Sequence, residues 1–168
     1  SSVNLWNFTY NKKTDLFEAK KLTKGTSYYV MPEISTDGEE MVFVHSGNIF
    51  RMSINGDSMK QLTFLNSICL SPTWSPDGKE IAFISGSKLT KVSSEGGTPT
   101  FFENASTGDN TFWESDSEIF FHKPDKRNFY IFNLDTQEKK LLVSNDSVGY
   151  IFYPCLSHDN KDVAFYWN

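Results

Sequence analysis

The chain has 168 residues, about one domain by length and enough to bury a core of its own. Lys and Arg total 16 against 21 Asp and Glu, and a net charge of −5 argues against nucleic-acid binding, which needs a basic footprint to neutralise phosphates. A hydrophobic fraction of 38% with 15% aromatics excludes disorder, two cysteines exclude a disulfide framework, and the longest apolar run, Tyr150 to Leu156, is too short to span a bilayer, so no membrane insertion is expected.

In chain order, residues 1–24 read as two strands, with Leu5-Trp6 matching Ile49-Phe50 further on. The stretch Asp15-Leu16-Phe17-Glu18-Ala19-Lys20-Lys21 is rich in helix formers. Its place in the 40-residue repeat is that of Ser58 to Leu62, so an outer strand is expected there despite the local propensity. Residues 25–64 then contain Pro32-Glu33-Ile34-Ser35-Thr36-Asp37-Gly38, residues 65–104 contain Pro72-Thr73-Trp74-Ser75-Pro76-Asp77-Gly78, and residues 105–143 contain Thr111-Phe112-Trp113-Glu114-Ser115-Asp116-Ser117. A fourth copy, Pro154-Cys155-Leu156-Ser157-His158-Asp159-Asn160, lies in 144–168.

The aspartates at 37, 77, 116 and 159 are spaced by 40, 39 and 43 residues. Leu22, Leu62, Phe102 and Leu142 keep an independent spacing of 40. Two markers with one period define an internal repeat. Within a repeat, Ser-Pro-Asp-Gly is a hairpin turn: proline presets φ, aspartate bonds its own backbone and glycine takes the left-handed position. Ser117 suits that last position poorly, so the third repeat is expected to turn differently. The strand after the turn, such as Ile81-Ala82-Phe83-Ile84, is apolar at consecutive positions and is therefore covered on both faces. Asn55-Gly56, Glu95-Gly96-Gly97 and Asp135-Thr136 mark a second hairpin in each repeat.

Four strands per repeat of about 40 residues, with sandwiched middle strands, predict an all-β fold, a β-propeller of four-stranded antiparallel blades. The segment Ser75-Pro76-Asp77-Gly78-Lys79-Glu80-Ile81-Ala82-Phe83, with outer strands ending Lys21-Leu22-Thr23 and Gln61-Leu62-Thr63, resembles the WD-like repeat of TolB-type propellers over essentially the whole chain. The fit is strong in the second repeat, good in the first and fourth, and degraded in the third. Residues 144–168 supply inner strands and 1–24 outer strands, so the chain is expected to be one propeller domain closed by pairing both termini in a single blade. That removes a dangling sheet edge and favours a monomer. The rival readings are an excerpt of a longer ring and a dimer that forms a larger ring.

No nucleophile elbow, dinucleotide loop or phosphate loop is present. His45, His122 and His158 have no metal-ligand spacing, and the loop histidines read as polar surface residues. The repeat aspartates are explained by their turns. Cys69 and Cys155 are expected to be free, buried thiols. No catalytic residue, metal or cofactor is assigned. The most informative candidates lie on one rim, in the connectors Tyr28-Tyr29-Val30-Met31 and Tyr150-Ile151-Phe152-Tyr153, because tyrosine combines apolar area with a polar tip. Lys126 and Arg127 sit in a longer charged loop of the same rim. The expected binding residues are therefore Tyr28, Tyr29, Tyr150, Tyr153, Lys126 and Arg127. The expected function is a non-catalytic scaffold presenting rim loops to a protein or peptide partner. The alternatives are a small-ligand or carbohydrate module at the channel mouth, and a propeller portion of a larger enzyme. The TolB-type resemblance implies a periplasmic or extracellular location in bacteria.

Overall fold

The computed structural model describes residues 2–106, 111–122, 128–144, 151–157 and 162–167. Strands β1 (Trp6–Asn11) and β2 (Leu16–Lys21) form an antiparallel pair. Next come β3 (Tyr29–Ile34), β4 (Glu40–His45), β5 (Asn48–Ser53) and the short β6 (Lys60–Gln61), a four-stranded antiparallel meander. A second meander contains β7 (Cys69–Trp74), β8 (Glu80–Ser85), β9 (Lys88–Ser93) and β10 (Thr100–Ser106). The third contains β11 (Thr111–Ser115), β12 (Glu118–His122), β13 (Asn128–Asn133) and β14 (Lys139–Ser144). Finally β15 (Ile151–Leu156) pairs with β16 (Val163–Trp167). The segment Leu16–Lys21 is a strand despite its helix formers, because hairpin pairing with β1 in register from Trp6↔Lys21 to Asn11↔Leu16 outweighs a local preference of tenths of a kcal/mol per residue. Among the described residues no ladder joins the β1–β2 sheet to the β15–β16 sheet.

The consecutive apolar residues of the middle strands separate into different cores. Met41 and Phe43 of β4 pack with Leu5, Tyr29 and Met52. Val42 and Val44 of the same strand join Ile49, Leu62, Cys69, Trp74, Ile81, Phe83 and Val92. In β8, Ala82 instead joins Leu89, Phe102, Trp113, Ile119, Phe121 and Phe132. The first and second meanders are thus sandwiched, because side chains alternate along a strand and each face meets a neighbour. Phe43, Phe83 and Phe121, one per four-stranded sheet, are fully buried. Fully burying a side chain of this size contributes roughly 1.5–3 kcal/mol.

Outer strands are tied by a repeated threonine. The Thr63 Oγ1 accepts the Ile49 N–H at 2.9 Å and donates to Asn48 Oδ1 at 3.0 Å. Thr23 makes the same pair of bonds with the Leu5 N–H, at 3.0 Å, and Asn4 Oδ1, at 3.2 Å. Neighbouring sheets come close at the second hairpin. A Cβ on Gly56 would lie 3.3 Å from the Leu22 carbonyl oxygen, and one on Gly96 3.4 Å from that of Leu62. Both glycines have positive φ, so neither position accepts a side chain without strain. β1–β2 therefore abuts the first meander as the first abuts the second.

Candidate binding surface

The rim begins where an outer strand hands over to the next inner strand. Tyr29 is buried at the start of β3, its ring stacked on His45 with centroids 4.3 Å apart and planes 8° from parallel. His45 is half-buried at the end of β4 and meets Phe50 edge-on at 5.1 Å. This places His45 in an aromatic stack, where the sequence reading expected a polar surface residue. The antiparallel partner of Tyr29 is His45, and that cross-strand position brings the two rings together. The His45 Nδ1 bonds the Tyr28 carbonyl at 3.1 Å, and a carbonyl acceptor makes Nδ1 the protonated nitrogen. Tyr29 N–H donates to the Val3 carbonyl at 3.0 Å beside the parallel bridge Val3↔Tyr28. The Tyr28 side chain, 54% exposed, stands on this fixed base. Tyr29 belongs to the base. Tyr153 lies in β15, where the ladder to β16 shifts between Phe152 and Cys155. Tyr150, Lys126 and Arg127 lie outside the described residues, as does His158. Cys69 is a buried free thiol, raised in pKa chiefly by desolvation.

Below the rim, the inner strands carry bulges one repeat apart. The ladders shift between Val30 and Glu33 and between Leu70 and Thr73. Met31 (φ 54°) and Ser71 (φ 48°) take the left-handed conformation there, each followed by a proline that has no N–H to give a ladder. The Ser71 N–H donates to Met31 Sδ at 3.3 Å. The bulge itself went unread in the sequence, although Pro32, Pro72 and Pro154 were its signal.

Successive sheets are cross-linked just beyond the bulges. The Trp74 indole N–H donates to the Glu33 carbonyl at 3.3 Å, and that of Trp113 to the Thr73 carbonyl at 3.1 Å. Glu33 Oε1 accepts the Thr73 hydroxyl at 2.9 Å and the Trp74 backbone N–H at 3.0 Å. Burial raises the Glu33 carboxyl pKa, and these two hydrogen bonds oppose the shift without cancelling it. None of these ties was legible in the sequence, where Trp74 and Trp113 stand only as members of the repeated segments.

At the opposite end, Asp77 Oδ1 accepts the Ser75 hydroxyl at 2.7 Å and the Lys79 N–H at 3.0 Å, while Asp77 Oδ2 pairs with Lys79 Nζ at 2.8 Å. The Lys79 ammonium, the Lys79 N–H and the Ser75 hydroxyl hold the carboxyl down at about 2. Asp37 repeats the turn with Ser35 and the Glu39 N–H and is likewise lowered. In the third repeat Ser115 pairs directly with Glu118, a shorter turn. There Asp116 Oδ1 reaches across to the Asp77 N–H at 3.1 Å. These aspartates are structural. No group of three or more His, Cys, Asp or Glu able to hold a metal occurs among the described residues.

No family model matches the sequence, and no curated protein matches it. Solved structures do. An Agrobacterium tumefaciens protein assigned as TolB superposes with a TM-score of 0.69 at 20% identity, covering 88% of this chain and 57% of that one. The C-terminal WD40 domain of Sif2 gives the same TM-score, 0.69, at 15% identity, covering 96% of this chain and 48% of that one. The chain thus has a TolB-like, WD40-like β-propeller fold, and it spans about half the length of each of these structures.

Proposed function

We propose that the chain is a non-catalytic interaction scaffold that presents one rim to a protein or peptide partner. The observation that carries this reading is the exposed Tyr28 ring on a base locked by the Tyr29–His45 stack and the Val3 bridge. A large amphipathic side chain held on a rigid support loses little entropy on binding, which is what an interface anchor requires. Tyr150, Tyr153, Lys126 and Arg127 are proposed to extend the same surface, with Tyr29 as its foundation. The fold shared with TolB-type and WD40 propellers supports interaction over catalysis, and the TolB resemblance alone supports a periplasmic or extracellular setting. We further propose that β15–β16 and β1–β2 together form one blade, so that four repeats of this chain make a single closed, monomeric domain.

The rim is tested by selecting displayed peptides on the wild-type chain and measuring them on Tyr28→Ser. The reading predicts that selected peptides lose about tenfold or more in affinity while the melting temperature is unchanged. Equal binding to both forms, or no enrichment at all, would overturn it.

A further inference from the structure

An open groove of about 180 Å³ runs between the inner edge strands β3, β7 and β11, lined by Met31, Pro32, Glu33, Ser71, Pro72, Thr111 and Phe112. Three of its features are unusual together. Glu33 is a half-buried carboxylate with no ion pair to any described cation. Its Oε1 is committed to Thr73 and Trp74, and Oε2 has no partner among the described residues. Thr111 is only 3% exposed and its hydroxyl has no hydrogen-bond partner among the described residues, although native structures satisfy nearly all such groups. The remaining walls are Ser71 and an apolar set: a thioether, two prolines and a phenyl ring.

We infer that this groove takes the side chain of a lysine from a peptide partner, with the ammonium at Glu33 Oε2 and the Thr111 hydroxyl and the methylene stem against Met31, Pro32, Pro72 and Phe112. An ammonium is a compact charge with three donors, so it serves one carboxylate oxygen and one hydroxyl at once. A guanidinium prefers a two-oxygen fork, and Oε1 is already occupied by two donors. A methylene stem buries on apolar walls while its head finds the charge. Lysine therefore fits better than arginine. The inference uses residues separate from the tyrosine rim and stands without it.

The test is a methyl NMR titration of the full chain, following Met31 and Thr111, with the capped peptide Gly-Gly-X-Gly-Gly in which X is lysine, norleucine or arginine. The lysine peptide is expected to shift both methyl groups saturably. The norleucine peptide, without charge, is expected to produce no saturable shift, and the arginine peptide to bind at least about threefold more weakly. Glu33→Gln, which keeps the acceptor for Thr73 and Trp74, is expected to weaken lysine binding about tenfold or more. Thr111→Val, an isosteric change at a hydroxyl with no partner among the described residues, is expected to weaken it about threefold and serves if the first variant folds poorly. Lysine and norleucine peptides binding equally, undiminished binding to both variants, or no saturable shift with lysine would each overturn the proposal.

Discussion

Asp77 shows how a repeat marker is made by local bonding. Its carboxylate closes the hairpin on Ser75 and Lys79, and its pKa falls to about 2. A depressed folded-state pKa stabilises the fold above the unfolded value, near the ordinary carboxylate range, and that stability is lost as pH falls through the folded value. Asp37 adds to the same dependence. Thermal melts at pH 5 and pH 2.5 should therefore show a larger loss for wild type than for Asp77→Asn, which cannot protonate; equal losses would contradict the assignment. Glu33 has the opposite sign. Its raised pKa makes the ionised form a burden on the fold, absent below the unfolded pKa and growing as pH rises through the folded one. Glu33→Gln should melt higher than wild type at pH 7, with the difference vanishing near pH 3. The aspartates were legible because turn chemistry recurs in sequence. Glu33 was not, since its burial comes from Thr73 and Trp74 of the next sheet.

At the scale of elements, two kinds of tie hold the sheets together, and each predicts its own cost. Thr63 both accepts the Ile49 N–H and donates to Asn48, inside a fully buried environment. Thr63→Val keeps the volume, leaves the Ile49 N–H without its acceptor and leaves Asn48 Oδ1 with the Leu65 N–H as its donor, so a loss of about 1–3 kcal/mol is expected in denaturant unfolding. Trp74→Phe removes the indole donor to the Glu33 carbonyl and shrinks a ring packed between two sheets. It should cost about 1–3 kcal/mol for the unpaired carbonyl, with a further packing loss. Phe83→Ala, in a strand covered on both faces, should cost about 3–5 kcal/mol. Strand identities were readable because unbroken apolar runs and turn residues have local causes. The periodic register even overruled the helix formers of Asp15–Lys21. The division of labour between Tyr28 and Tyr29 was not readable. Adjacent residues of a strand point to opposite faces, and only the neighbour that supplies His45 decides which ring is covered.

For the whole molecule, the same junction recurs along the chain. Thr23 and Thr63 close outer strands in the same way, Gly56 and Gly96 approach the preceding sheet in the same way, and Trp74 and Trp113 reach back to the preceding inner strand in the same way. β1–β2 takes part in this series as a two-stranded sheet. Its exposed Trp6, Phe8, Tyr10 and Phe17 correspond to the face that Phe50 and Met52 turn toward the preceding sheet in the next unit. The proposed blade of β15–β16 with β1–β2 would cover that face and remove two free edges. The period near 40 made the series of antiparallel sheets readable in outline. Contacts between successive sheets have no local signature, so the ties that join them were beyond the sequence.

The measurement that tests closure most directly is the solution mass of the 168-residue chain by light scattering behind a sizing column, paired with a denaturant melt. The account predicts one species of about 19.2 kDa that unfolds in a single cooperative transition. A stable species of twice that mass, or a monomer that melts broadly and aggregates, would contradict closure of the four repeats within one chain.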